Sequence, residues 1–372
     1  MKLKTHKSFF HKLIFFVIII GCSGGIYVYT QLNKINVQNI SKSDKDLGIS
    51  YDPEIKEISD RNNIPDKNYK DNIELSQNNN VGFSQSIDQS KDLSPLMQID
   101  ENNKIINIAL FGVDTRKKGD PIHSDSIIIA TIDETRKKIK LSSIMRDTYV
   151  SVNDHKKTKI NHAYTYGGPL LAIRTLNENF SMNIKDYITV DFFSLEKIID
   201  NLGGIIVEVK KNEIEDTNKW IKEIANIEKS EYTPIKNPGA QNLNGKQAVA
   251  YSRTRHTGGG DFDRTDRQRR VLNAIISKMQ STGIYKYPTL ASELSPYIET
   301  SLSKMEILKL GSKIIIKGIN SVEQQRFPID GYCKGQIIDG TWYLVSDLKS
   351  TSKQLYDYIF EDIKPQPKSP LF

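Results

Sequence analysis

Residues 105–113, IINIALFGV, form a nearly unbroken apolar run. It is too short to cross a bilayer and lacks the polar interruptions of a surface helix, so it fits a strand covered on both faces. SIIIATI (126–132) and KIKLSSI (138–144) follow, separated by the polar DETRK, and are expected to pair as a hairpin. A strand buried on both sides needs helices on both sides, and the chain downstream supplies candidates. Pro169 is suited to a first helical position, and Leu170, Ile173, Leu176 and Phe180 then share a face. Leu195, Ile198, Ile199 and Leu202 repeat that spacing up to the stop at Gly203 and Gly204, and IIVEV (205–209) restarts a strand. Further helices are expected from about Asp263 to Met279, over KMEILKLGSKIII (304–316) and over LVSDLKSTSKQLYDYIFEDI (344–363). The pattern predicts an α/β fold, a central mixed β-sheet flanked by helices and preceded by one N-terminal membrane anchor.

The anchor rests on residues 1–29. Lys2, Lys4, Lys7 and Lys12 occur with no acidic residue among the first twelve positions, and an apolar stretch from Leu13 to Tyr29 follows. Basic before apolar reads as cytoplasm before bilayer, giving a cytoplasmic tail (1–12) and a signal anchor (13–30) in the cytoplasmic membrane. Gly21, Ser23, Gly24 and Gly25 weaken the second half of the span, and IIGC (19–22) also resembles a lipoprotein processing site that would leave a diacylated Cys22. A cleaved signal peptide is a third reading. All three place the rest of the chain outside the cytoplasm. Residues 31–103, rich in Asn, Ser, Asp, Lys and Gln, are expected to form a flexible extracellular stalk. The folded domain then runs from 104 to 363, and Pro365 and Pro367 mark the tail at 364–372.

Lys and Arg number 52 against 45 Asp and Glu, a net charge of +7 that suits an anionic ligand or membrane. A nucleic-acid role would need the domain on the cytoplasmic side, so none is expected. Cys22 and Cys333 stand in unlike contexts and give no disulfide framework. No GxxxxGK[ST], GxSxG or HExxH motif is present. His123, His155, His162 and His256 lack metal-ligand spacing and read as structural or solvated.

Chemistry concentrates at the strand ends and in one downstream segment. Asp114 closes the first apolar run, Asp125 stands immediately before the second, and Arg146 and Asp147 follow the third. Two carboxylates meeting beside a central sheet make a hard oxygen site suited to Mg²⁺. The alternative is that one caps a turn and the other pairs with a surface lysine. A guanidinium at the same sheet end suits a phosphate, whose oxygens match its planar fork. The densest signal is YSRTRHTGGGDFDRTDRQRRVL (251–272). Arg253 and Arg255 flank Thr254, Gly258–Gly260 make a turn, and the next helix bears an apolar stripe at Val271, Ile275 and Met279. Projected back, that stripe passes through Gln268 and Arg264, with Arg267 at its edge, so Arg264 and Gln268 point toward the core. A buried arginine needs a carboxylate or an anion, and a helix N-terminus favours phosphate. Arg269 and Arg270 read as solvated charge.

The stretches NIALFGVD, SDSIIIATI, LSSIMRDTYV, KINHAYTYGG, DFFSLEKIIDNLGGIIVEV, LNGKQAVAYSRTRH and DFDRTDRQRRVL together resemble the LytR-CpsA-Psr family over roughly 104–283, in order. The resemblance implies a phosphotransferase that moves an undecaprenyl-pyrophosphate-linked glycopolymer, such as teichoic acid or capsule, onto the C6 hydroxyl of peptidoglycan N-acetylmuramic acid. It implies that Asp114 and Asp125 hold Mg²⁺ (or Mn²⁺), and that Arg146, Arg253, Arg255, Arg264, Arg267 and Gln268 bind the pyrophosphate, with Arg146 and Arg255 also catalytic. It further implies a polyprenyl tunnel, for which the helix around Phe192, Phe193, Leu195, Ile198 and Ile199 offers a wall. Asp125 and Asp263 both remain open as the base. The run RQRRVL is more basic than the family's usual pattern, and the stalk is long. A polyprenyl-pyrophosphate pyrophosphatase and a non-catalytic envelope regulator are the rival readings.

Overall fold

The computed structural model of the protein describes residues 29–49, 105–114, 122–255, 258, 260–282 and 286–369. Its strands, in chain order, are β1 (Asn36–Val37), β2 (Ile105–Val113), β3 (Ser124–Asp133), β4 (Lys138–Ile144), β5 (Tyr149–Val150), β6 (Thr158–Lys159) and β7 (Asp186–Asp191). They continue as β8 (Ile205–Val209), β9 (Gly239–Leu243), β10 (Glu299–Thr300), β11 (Ser321–Phe327), β12 (Cys333–Ile338) and β13 (Thr341–Ser346). The helices are α1 (His162–Phe180), α2 (Phe192–Asn201), α3 (Ile214–Glu228), α4 (Gly245–Arg253), α5 (Gly260–Ser281), α6 (Tyr287–Leu294), α7 (Lys304–Lys317) and α8 (Leu348–Phe360).

The apolar run at 105–113 is the middle strand of a 7-stranded mixed sheet, ordered β1-β10-β7-β2-β3-β4-β11. β2, β3 and β4 form an antiparallel meander that includes the expected hairpin, while β7 runs parallel to β2 and β11 parallel to β4. That pairing brings the C-terminal ends of β2, β4 and β7 and the start of β3 to one end of the sheet. Val113 faces both Ser124 and Asp191 there.

Helices α1 and α8 cover one face, where Ala109, Phe111, Ile129, Leu176, Phe180 and Ile359 join one continuous core. Burying each large apolar side chain contributes roughly 1.5–3 kcal/mol. α1 breaks at Gly167 and Gly168, which leave helical geometry, so Pro169 opens its second segment as its sequence position predicted. α7 covers the opposite face through Ile307, Leu310 and Ile314, against Ile106, Leu110, Ile139 and Ile188. These contacts are only partial, and no residue of α7 is fully buried. A second core gathers α2, α3, α4, α5 and α6 around β8 and β9. The strand expected at 205–209 therefore forms, but in a two-stranded sheet apart from the main one.

Part of the expected stalk is not a stalk. β1 pairs with β10, Leu47 is fully buried in the α1/α8 core, and its carbonyl accepts from Asn177 Nδ2 at 2.8 Å. Lys42 adds an ion pair to Asp186 at 2.6 Å. The apolar residues of this segment are too sparse for a periodic signal, because their partners lie far along the chain. Residues 50–104 and the anchor at 13–30, except positions 29 and 30, lie outside the described residues. Among the described residues no helix is long and apolar enough to cross a membrane. The helix expected at 344–363 is shorter, since 344–346 finish β13 and Asp347 caps α8 by accepting from Ser350 N at 3.0 Å.

Candidate functional site: an arginine and carboxylate cluster at the sheet end

Arg146 follows β4 where the chain leaves the sheet, held by a backbone bond from Met145 N to Phe327 O of 2.9 Å. Asp125 occupies the second position of β3 rather than the loop before it, and its neighbours across the meander put it level with Arg146. The two side chains pair, Arg146 Nη1 donating to Asp125 Oδ1. Asp114 leaves the end of β2 on the adjacent strand.

α5 delivers the rest. Gly258 and Gly260 adopt left-handed φ of 109° and 57°, a turn that side chains with a Cβ resist. Thr265 of α5 donates to Met145 Sδ at 3.5 Å, fixing the helix beside Arg146. Asp261, in the first turn, then stands between two guanidinium groups. Its Oδ1 is 2.7 Å from Arg264 Nη2 and 3.4 Å from Arg146 Nε. Gln268, two turns on, donates from Nε2 to the Asp125 carbonyl at 3.4 Å. Burial pushes the Asp261 carboxyl up to about 6, against the pull of Arg146 and Arg255 and with a further push from Asp147 and Asp125.

Asp261 was not among the expected residues. The signal was present, since positions 261, 264 and 268 continue the helical spacing of the stripe from Ile275 and Val271. Asp263 was considered instead, and it is Asp261 whose carboxylate bridges the two arginines.

Arg264 is 2% exposed, as its place on the inward stripe required. Its Nε, the Arg146 Nε and the Asp261 Oδ2 are buried with no hydrogen-bond partner. Native proteins rarely leave buried donors unmet, and the two guanidinium Nε atoms suit an anion with several oxygens, whereas the unmet Asp261 oxygen suits a donor such as a hydroxyl. Arg255 contributes its backbone N–H to Asp216 Oδ2 at 2.8 Å and lies close enough to act on the Asp261 carboxyl. Arg253 is sandwiched by rings, 4.0 Å from the Trp220 centroid and 5.4 Å from that of Phe192.

Three expected features have partners that the sequence did not disclose. Arg267 is buried and donates to the Thr254 carbonyl from Nε (3.2 Å) and Nη2 (2.5 Å), and pairs with Glu213 at 3.2 Å. These bonds tie α5 to the segment Arg253–Arg255. Arg269 and Arg270 are not merely solvated. Both pair with Asp266, and Arg270 also donates to Tyr251 Oη at 2.8 Å, because the buried Glu213 draws cations from two turns of α5. The apolar residues of α2 mostly fill the second core, where Ile198 and Ile199 are buried. Phe192 packs on that core as well and carries Arg253 over its ring.

Among the described residues no three His, Cys, Asp or Glu side chains gather as a metal cage. Asp114 and Asp125 alone fit the mode in which Mg²⁺ takes one or two carboxylates and keeps its other positions for water and phosphate oxygens.

The fold and site define an α/β domain with an arginine-rich sheet end and a partly covered apolar sheet face. The chain belongs to the LytR_cpsA_psr family, whose sequence profile matches residues 67–358. It is 31% identical to the regulatory protein MsrR of Staphylococcus aureus, over 70% of this chain and 76% of that protein. It is 33% identical to TagV of Bacillus subtilis, a polyisoprenyl-teichoic acid–peptidoglycan teichoic acid transferase, over 68% of this chain and 64% of TagV. Among solved structures it resembles TagT with bound octaprenyl pyrophosphate lipid, at 26% identity and a TM-score of 0.52, over 68% of this chain and 90% of that one.

Proposed function

We propose that this protein transfers an undecaprenyl-pyrophosphate-linked glycopolymer onto the C6 hydroxyl of peptidoglycan N-acetylmuramic acid, at the outer face of the cytoplasmic membrane to which residues 13–30 anchor it. The observation that carries the reading is the set of buried, unmet donors on Arg146 and Arg264 beside Asp261. The names of TagV and TagT support it.

Arg146, Arg253, Arg255, Arg264 and Gln268 bind the pyrophosphate, whose oxygens supply acceptors for the unmet Nε donors of Arg146 and Arg264. The lipid chain lies along the apolar sheet face under α7, near Leu110, Ile188 and Leu310, where burial is incomplete. Asp114 and Asp125 would hold Mg²⁺, which when bound neutralises phosphate oxygens in the way such transfers require. The acceptor oxygen bonds to the sugar-proximal phosphorus, and the bond from that phosphorus to the bridging oxygen breaks. Polyprenyl phosphate leaves, and Asp261 receives the hydroxyl proton. A carboxyl poised near 6 suits that task, being mostly ionised at neutral pH yet more basic than an ordinary aspartate. The arginine cage stabilises the charge that develops between the two phosphates.

The test is incubation of the full chain with a synthetic polyprenyl-pyrophosphate oligosaccharide, peptidoglycan oligomers and Mg²⁺, with products read by mass spectrometry. A phosphodiester-linked adduct that disappears with EDTA supports the transferase, whereas polyprenyl phosphate released without an adduct assigns a pyrophosphatase. The name of MsrR favours one further reading, a regulator without catalysis. Alanine at Asp114 and at Arg253 separates the two, because a regulator keeps its phenotype with both changes.

A further inference from the structure

The residue after Arg146 ties the site to a surface of aromatic rings. Asp147 pairs with Lys159 Nζ at 2.8 Å, and its carbonyl accepts from Leu344 N of β13 at 2.9 Å. The β12–β13 hairpin, turned by Asp339 and Gly340 at φ of 49° and 76°, is therefore fixed beside Arg146. On it Trp342 faces Ile337 across the strands, and its indole lies over Gly335. A Cβ at position 335 would meet the ring at 2.8 Å, so only glycine lets the indole lie flat on the strand. The indole stays 41% exposed, and Tyr343 stacks at an angle on Tyr149 with centroids 4.7 Å apart. Lys159 Nζ stands 5.9 Å from the Trp342 ring and 6.0 Å from the Tyr343 ring.

This surface is unlike the sheet face under α7. Its exposed indole has the Lys159 amine at its edge, and Asp147 offsets the charge of Lys159. Such a surface suits the C–H faces and hydroxyl edges of pyranose rings better than a lipid chain or a bare anion. It also lies on the other side of the sheet. β5, β6 and α1 pack Val150, Ile160 and Ala163 into the α1/α8 core, opposite α7. In-line displacement brings the entering oxygen in from the side opposite the leaving phosphate.

We propose that Trp342, with Lys159 at its edge, forms the docking platform for the acceptor, a glycan strand of the cell wall, an inference that rests on the transferase reading above. Trp220 and Trp342 are the two tryptophans of the chain, so Trp220→Phe leaves Trp342 as its single reporter. In the full chain carrying that change, soluble peptidoglycan oligosaccharides should alter Trp342 emission saturably, and no change would overturn the proposal. Because this readout needs no turnover, glycan binding at Trp342 in a protein that transfers nothing would count against the transferase reading alone. In the transfer assay Trp342→Ala should raise the acceptor KM about tenfold and leave the donor KM within about twofold. Trp342→Tyr, which keeps a ring, should recover most of that loss. An unchanged acceptor KM, a raised donor KM, or equal loss in both variants would overturn the proposal.

Discussion

On the face of the central sheet that carries α1 and α8, Ala109, Ile129, Leu176, Phe180 and Ile359 have no exposure at all. On the face under α7, Ile108, Ile132, Leu302 and Ile319 are buried, but Ile106, Leu110, Ile139, Ile188, Ile307, Leu310 and Ile314 are only partly covered. Both faces are comparably apolar in sequence, so composition does not separate them. What separates them is how closely the covering helices seat. A close-packed face contributes stability because every atom has a neighbour, whereas a half-covered face keeps apolar surface available for an apolar ligand. The arginine cluster stands at the sheet end where the two faces meet.

That comparison can be broken at several points. Leu176→Ala, in the packed core, should cost about 2–5 kcal/mol in urea unfolding, since little around it can collapse into the space. Arg146→Ala, at the meeting point, should leave the unfolding midpoint near wild type and lower transfer by at least about 10²–10³-fold; an active variant would remove Arg146 from the mechanism.

Glu196 tests burial in the second core. Loss of solvent, then the adjacent Glu228, raises its pKa from 4.5 to about 7. The folded state binds the proton more tightly than the unfolded one, so stability falls as pH rises from about 4.5 to about 7 and the full cost is present above that. Glu196→Gln should stabilise by roughly 1–2 kcal/mol at pH 8 and by almost nothing at pH 4, the effect being reduced by the nearby Lys197 and Lys246. Equal melting shifts at both pH values would contradict it. Leu310→Ala on the loose face should cost below about 1 kcal/mol, with a raised donor KM as its main consequence. If it destabilised as much as Leu176→Ala, the two faces would not differ.

The sequence carried the sheet's centre because β2, β3 and β4 are buried on both sides and leave long apolar runs. It did not reveal β11, whose residues SVEQQRF sit half-buried at the sheet edge, or β10, a two-residue strand defined by its partners. The inward turn of Arg264 was legible from helical spacing. Glu213 was not, because its meeting with Arg267, Arg270 and Tyr251 joins positions with no local relation. Nor could the strap at residues 31–49 be read from a segment whose apolar residues are few and whose contacts are remote. The difference between the two sheet faces was likewise hidden, because the spacing of α7 fixes which side faces inward and not how deeply it sits.

The most direct measurement is photocrosslinking of the full chain with a polyprenyl pyrophosphate bearing a diazirine along its chain, mapped by peptide mass spectrometry. Labels on Leu110, Ile188 or Leu310, lost when excess unlabelled pyrophosphate lipid competes and weakened in Arg264→Ala, are the predicted result. Labels confined to the α1/α8 face, or unaffected by Arg264→Ala, would contradict the assignment of the arginine cluster and the loose face to one lipid-linked substrate.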